Sequence, residues 1–415
     1  MRAETTAGGP APKLISTPSE ISELVAELRK HDIIAFDTEF IRESTFFPIV
    51  EIIQVATKDK AWIVDAQAFK KGHRAGPAGG FDPGIQPLLE VFEDTSILKI
   101  LHAAQGDQEC LYTSFGVVAK PTLDTAVAAS LCGYGEGIGL GKLLKSALGI
   151  ELTKGHARTN WSVRPLPRQL IDYALSDVDH LVELGSKLIG QLEKLGRKDW
   201  AMQLSSKWED KALYDPAPED LARKLAKSGR FDRKGLAALV ALVRWREQRV
   251  RELNLPRRWV ADDAVLVDLA HVKPKDIEHL SAFRGLNKGE IQKSGEKILA
   301  ALKAEPLPEQ EKGPRKERFE IPTSEESQAV DLLQCFVGIL ADRHRISARH
   351  VLTAAQLLPL VRKRFDSADQ FVAEGLLSEP AARLVGPEII DFLHGRLALS
   401  MDGAKIKITR VGSQE

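Results

Sequence analysis

The run Ile33-Ile34-Ala35-Phe36-Asp37-Thr38-Glu39-Phe40 (residues 33–40) is apolar except for Thr38 and the two acids that flank it. Such a run predicts a β-strand, in which successive side chains point to opposite faces. Asp37 and Glu39 then share one face, while Phe36, Thr38 and Phe40 share the other. Two neighbouring carboxylates on one sheet face repel each other unless a cation bridges them. A hard divalent ion with oxygen ligands answers that need. A strand end carrying two solvated acids is the plainer reading of these residues alone.

Outward from this strand, residues 19–30 place Ile21, Leu24, Val25 and Leu28 at helical spacing. Residues 50–57 and 61–65 read as two further strands, making a meander with the first. Residues 70–84 are rich in Gly and Pro and read as a loop. Residues 85–92 read as a helix, 97–102 as a short apolar strand, and 105–115 as a helix ended by Gly116. Further helices are expected over 124–131, 140–148 and, as one long helix or a helix pair, 169–195. Strands first, then strands alternating with helices, predict an α/β domain on a mixed sheet. After Trp200 the strand signals largely stop. Residues 207–302 read as helices broken at prolines. Residues 306–322, rich in Pro, Lys and Glu, read as a linker, and 325–399 as helical again.

Length and composition agree with several domains: 415 residues, 43% hydrophobic. The N-terminal residues lack an apolar run, so neither a signal peptide nor an anchor is expected there. Nor is there a stretch of 18 apolar residues to span a membrane. Cys110, Cys132 and Cys335 match no zinc or redox spacing and read as buried thiols of a reducing compartment, hence a soluble cytoplasmic protein. The formal net charge is zero, but residues 221–260 hold 12 basic and 3 acidic residues. A local basic stripe of this kind can steer a phosphate backbone; a solvated helix face is the alternative.

Two further features bear on the acidic pair. Asp107 falls in the first turn of the helix over 105–115, where the helix dipole already favours an acid. Tyr173 and Asp177 are four apart on the helix over 169–195, so they stack on one face. A half-buried Tyr173 beside an exposed Asp177 is the plainer alternative. Taken together and in this order, Asp37-x-Glu39, Asp107 and Tyr173-x-x-x-Asp177 resemble the DEDD exonuclease superfamily, in its tyrosine-bearing subclass. The other subclass carries histidine five residues before the last acid, where this chain has Asp172. The segments Phe36-Asp37-Thr38-Glu39-Phe40, Leu123-Asp124-Thr125, Gly133-Tyr134-Gly135 and Trp161-Ser162-Val163-Arg164-Pro165-Leu166 are similar to bacterial ribonuclease D.

That resemblance implies a ribonuclease H-like exonuclease domain over 14–205, between a tail at 1–13 and a first HRDC (helicase and RNase D C-terminal) domain at 206–304. A linker at 305–323, a second HRDC-like helical domain at 324–405 and a tail at 406–415 would follow. It implies two divalent cations, Mg²⁺ or Mn²⁺, held by Asp37, Glu39, Asp107 and Asp177, with Tyr173 positioning the attacking water. The implied activity is 3′–5′ trimming of structured RNA such as tRNA precursors, releasing nucleoside 5′-monophosphates, by a monomer. A 3′–5′ DNA exonuclease and a catalytically silent RNA-binding scaffold are the alternatives.

Lys154, Arg158, Trp161 and Arg164 precede the Tyr173 helix and are candidates to contact phosphates and stack a base. Trp161 as a core anchor is the competing reading. Within Arg244, Arg246, Arg249, Arg251, Arg257 and Arg258, interleaved with Trp245 and Trp259, the arginines are read toward phosphate contact. The tryptophans there are read toward the core. The glycine series Gly135 to Gly141 is not a Walker loop, because Leu143 follows Lys142 where Ser or Thr is required.

Overall fold

The computed structural model describes residues 14–71, 80–152, 159–227, 230–305 and 322–411. The expected N-terminal tail, most of the expected linker and most of the Gly-rich loop lie outside these residues. The first part of the chain forms α1 (Pro18–Leu28), β1 (Ile33–Ile41), β2 (Ile49–Ala56), β3 (Ala61–Asp65), α2 (Gln86–Glu93), β4 (Leu98–Leu101), α3 (Gln105–Phe115), β5 (Thr122–Asp124), α4 (Thr125–Cys132) and α5 (Leu140–Leu148). Then come α6 (Arg168–Val178), α7 (Leu181–Lys194) and α8 (Lys198–Ser205). The strands form one mixed sheet of order β3-β2-β1-β4-β5. In it β1 is antiparallel to β2, β2 is antiparallel to β3, and β1 is parallel to β4.

Local chemistry explains the borders. A capping box joins Thr17 and Glu20 at the start of α1. Gly116, at φ 75°, closes α3 in the left-handed conformation that glycine adopts without steric cost. The residues expected as one helix or a pair over 169–195 form the pair α6 and α7. Strand β5 is an element the sequence reading did not assign; its three residues are too short to carry a period.

The two sheet faces are covered differently. Ile34, Phe36, Ile53 and Val55 pack with Leu24 and Leu28 of α1, Leu88 and Phe92 of α2, and Cys110 and Leu111 of α3. Ile52 and Ile63 pack on the other face with Trp161 and with Leu170, Ile171 and Ala174 of α6.

A second group of helices follows: α9 (Pro218–Ala226), α10 (Arg233–Leu253), α11 (Arg257–Val260), α12 (Asp263–Val272), α13 (Ile277–Ser281) and α14 (Lys288–Leu302). Leu239, Leu242, Val243, Leu266, Leu269 and Ile298 are central to their core. The last part contains α15 (Ser324–Arg343), α16 (Ala348–Val351), α17 (Ala354–Arg362), α18 (Ala368–Ala373), α19 (Glu379–Leu393), β6 (Leu397–Asp402) and β7 (Lys405–Arg410). The last two strands correct the reading of a helical region to 399 and a tail from 406. Gly403, at φ 60°, opens a two-residue turn with Ala404, a position for which glycine suits the hairpin. Ile406-Lys407-Ile408 alternates with the period of a strand.

The chain divides into two compact units. One comprises the described residues of Met1–Thr122, Thr153–Val182 and Ser206–Glu317, and holds β1 to β4, α6 and the helices α9 to α14. The other comprises those of Leu123–Leu152, Glu183–Ser205 and Arg318–Glu415. Within this second unit Ser130 Oγ lies 2.6 Å from His350 Nε2. Arg197 donates to the carbonyls of Leu131 and His344. The rings of Phe336 and Phe392 stack at 4.0 Å. The reading of three buried thiols holds for Cys110 only in full; Cys132 is half-buried and Cys335, on the outward side of α15, is exposed.

Candidate active site

The register of β1 puts Asp37 opposite Gln54 and Glu39 opposite Ile52 of β2, and the ladder shifts by a bulge between Glu39 and Phe40. Bulges re-aim side chains where regular pairing ends. Asp37 and Glu39 therefore face the α6 side, where Asp177 stands in the last turn of the helix. One carboxylate oxygen from each of Asp37, Glu39 and Asp177 lies within 4.8 Å of the others. The Tyr173 hydroxyl, one turn earlier on α6, hydrogen-bonds Asp177.

Asp107 arrives by a different route. Helix α3 packs on the opposite sheet face, the face of Phe36 and Thr38. The Thr38 backbone N–H and hydroxyl both donate to Asp107 Oδ1, at 3.0 and 2.6 Å, and the Asp107 charge acts on the Asp37 carboxyl. It stands beside the three-carboxylate group without belonging to it. The sequence alone puts Thr38 on the far face and gives no sign that it anchors Asp107.

The electrostatics follow from burial and crowding. Burial, then the charges of Asp107, Asp177 and Glu39, hold the Asp37 carboxyl well above the usual carboxylate range. Burial, then Asp177 and Asp107, push Glu39 up to about 8. Asp177 and Asp107 are each raised to about 6, burial outweighing the hydrogen bonds from Tyr173 and Thr38 respectively. Burial, then Asp177, Glu39 and Asp37, also raise the Tyr173 phenol. A group of carboxylates that resists ionisation for lack of opposing charge, with oxygen donors only, fits a hard divalent cation.

The expected substrate contacts fare differently. Lys154 and Arg158 lie outside the described residues. Trp161 is 4% exposed within the α6 core, its ring 6.1 Å from that of Tyr173, so it is a packing anchor and not an open stacking platform. Arg164 holds both oxygens of Asp65 and the carbonyls of Glu51, Trp161 and Val163. Its donors are spent on the scaffold. Arg246 is buried against Glu247 and Asp263. Arg249 pairs with Glu290 and Glu252. Arg251 and Arg257 converge on the buried Glu247, and Arg244 pairs with Glu219. The arginine series is thus largely internal wiring, because interleaved acids that count little in a charge tally sit at pairing distance in space. Trp245 is buried, as read, but Trp259 is 48% exposed. It lines an open pocket with Leu255, Arg258, Leu286 and Asn287.

The 3′-5′ exonuclease family model matches residues 12–193, and the HRDC domain model matches residues 235–302. Ribonuclease D of Gluconacetobacter diazotrophicus is 31% identical, covering 98% of this chain and 99% of its own. The chain belongs to the ribonuclease D family. Ribonuclease D of Nitrobacter hamburgensis is 30% identical, covering 95% of this chain and 98% of its own. The crystal structure of Escherichia coli RNase D, described as an exoribonuclease involved in structured RNA processing, superposes with a TM-score of 0.73 at 26% identity. It covers 93% of this chain and 99% of that one. Family membership makes the protein a 3′–5′ exoribonuclease that binds nucleic acid, and its exonuclease fold implies use of divalent metal. Among the described residues no helix is long and apolar enough to cross a membrane.

Proposed function

We propose that the protein trims the 3′ ends of structured RNA such as tRNA precursors, releasing nucleoside 5′-monophosphates, with Asp37, Glu39, Asp177 and Asp107 holding two Mg²⁺ or Mn²⁺ ions. The observation that carries this reading is the convergence of three carboxylate oxygens within 4.8 Å beside a tyrosine hydroxyl. Such ions, when bound, activate water and offset the charge that builds on the scissile phosphate.

The residues divide the remaining work. Asp37, Glu39 and Asp177 bind on the α6 side of the sheet. Asp107, anchored by Thr38, supports from the α3 side. Tyr173 keeps its proton at neutral pH, since its phenol is raised by burial and by three carboxylates. Its hydroxyl therefore orients the attacking water, and is not the base that deprotonates it.

The RNA strand would approach over the helices after residue 217. There Arg258, Arg284 and Lys288 are exposed and, among the described residues, have no ion-pair partner. With Trp259 they offer a stacking plane and phosphate contacts together. We further read residues 324–405 as a second HRDC-like region, and the protein as a cytoplasmic monomer.

The test is digestion of matched 3′-labelled RNA and DNA, each with a stem and a 3′ overhang, by the purified chain with Mg²⁺ or Mn²⁺. RNA should shorten to monophosphates and stop near the stem, EDTA should abolish the reaction, and Asp37→Ala should remove it. Equal or faster DNA digestion would overturn RNA as the substrate. Activity that survives both EDTA and Asp37→Ala would overturn the metal site.

A further inference from the structure

Gln54 is wholly buried on β2, and among the described residues neither Oε1 nor Nε2 of its amide has a hydrogen-bond partner. Directly opposed residues of an antiparallel pair project to the same face. Gln54 is directly opposite Asp37 on one side and Ile63 of β3 on the other. It therefore lies on the α6 face, in the same lateral row as the first carboxylate. Its neighbours on that face of β2 are Ile52 and Ala56. Ile52 and Ile63 belong to the apolar core under α6.

Packing alone calls for an apolar side chain here. A buried amide without partners lowers stability, whereas an apolar group of similar shape at the same place is neutral or better. Asp37, directly opposite, can use the amide. Opposed Cβ atoms in such a pair lie about 4.5–5.5 Å apart, within the reach of a glutamine side chain. An ionised carboxylate that gives one oxygen to a cation needs a donor for the other, and partners of this kind fix ligand orientation.

We propose that Gln54 is a positioning residue of this active site: its amide N–H holds the ionised Asp37 carboxylate in the orientation that binds the divalent cation. The inference rests on the metal-site reading of Asp37, Glu39 and Asp177. Gln54 touches neither substrate nor reacting atoms and acts through Asp37.

The test uses the full-length chain and Mn²⁺ alone as the probe, with free Mn²⁺ followed by its EPR signal. Gln54→Met keeps the length and volume of the side chain without the amide, and Gln54→Leu serves as a second apolar replacement. Thermal melting and the separate kcat and KM on a 3′-labelled RNA complete the comparison. Both replacements should bind Mn²⁺ about 10- to 100-fold more weakly. They should also lower kcat with little change in KM, and melt at the wild-type temperature or above it.

Unchanged Mn²⁺ affinity and kcat would overturn the proposal, because a filler glutamine predicts that result. Failure of both replacements to fold would overturn it too, by assigning the amide to the scaffold. Asp37→Asn separates the two levels of the argument. If wild type binds no Mn²⁺ that Asp37→Asn removes, the metal-site reading falls and this inference with it. If Asp37→Asn removes binding that Gln54→Met keeps, this inference falls alone.

Discussion

Thr38 grips Asp107 with two donors, its backbone N–H at 3.0 Å and its hydroxyl at 2.6 Å. The two residues sit on the strand of the acidic pair and on the helix behind it, so the grip ties α3 to the site through the back of the sheet. Thr38→Val keeps the shape and the backbone bond but removes the hydroxyl, leaving a buried carboxylate short of a donor. A loss of about 1–2 kcal/mol is expected in urea denaturation, with a roughly tenfold fall in kcat as Asp107 loosens. Thr38→Ser retains the hydroxyl and should stay near wild type. Equal behaviour of the valine and serine variants would show that the hydroxyl bond carries no weight.

Metal-free protein should lose stability as pH rises. Burial and mutual repulsion raise the folded-state pKa of Glu39 to about 8, and those of Asp107 and Asp177 to about 6. Between the ordinary carboxylate range and these values the folded state binds more protons than the unfolded state. Stability therefore falls with rising pH over that window. Two groups are half-titrated near pH 6 and Glu39 near pH 8. Asp37→Asn removes one charge from the cluster, so it should melt higher than wild type in EDTA at pH 8 while being inactive. Mg²⁺ or Mn²⁺ should reverse the decline, and more so at high pH, where fewer protons compete for the ligands. Melting curves from pH 5 to 8.5, with EDTA and with metal, give the answer; parallel curves for wild type and Asp37→Asn would contradict the charge argument.

How much of this was readable beforehand depends on distance along the chain. Asp37 with Glu39, and Tyr173 with Asp177, are pairs whose geometry is set within one strand or one helix, and local periodicity was enough to place each on a common face. Bringing the pairs together needs the sheet order and the covering of one face by α6, which here came from the family pattern. Asp107 was readable as a helix-start acid, but its approach from the opposite sheet face was not, since that depends on Thr38 pointing away from its neighbours. Gln54 carried no signal at all: a glutamine between Ile53 and Val55 becomes notable only once β2 is paired to Asp37. The arginine series misled for the same reason. Glu247, which holds Arg251 and Arg257, looked like one acid among many bases until the folded chain closed on it. The C-terminal hairpin is readable in principle from Gly403 and the alternation after it, but it follows a long helical region that masks so short a signal.

Lys99 should be a stability residue of unusual size for a lysine. It is fully buried on β4, and its ammonium donates to the carbonyls of Asp94, Ile97 and Lys120 at 2.6, 2.7 and 2.5 Å. Burial holds its pKa down to about 8. Lys99→Met fills much of the space but leaves three carbonyls without that donor. The penalty falls on the carbonyls that remain, and a loss of about 2–4 kcal/mol is expected in denaturant unfolding. A methionine variant as stable as wild type would mean that water replaces the ammonium without cost.

Asn254 should control the segment that leaves the active-site strand. It closes α10 in the left-handed conformation, at φ 49°, and its side-chain oxygen accepts from the backbone N–H groups of Phe46 and Phe47, at 3.1 and 3.0 Å. Arg251 and Arg257 lie over the Phe46 ring at 5.1 and 4.9 Å. The helices matched by the HRDC model are thereby fastened a few residues downstream of Glu39. Asn254→Gly keeps the backbone conformation and removes both acceptor contacts, so its cost reports the fastening alone, about 1–2 kcal/mol for two half-buried donors that lose their acceptor. Asn254→Ala adds the strain of a left-handed alanine, about 1 kcal/mol more. Hydrogen exchange should quicken at Phe46 and Phe47 in both variants, while β4 on the far side of β1 keeps its protection. Unchanged exchange at Phe46 and Phe47 would mean that the aromatic and cation contacts hold the segment without Asn254.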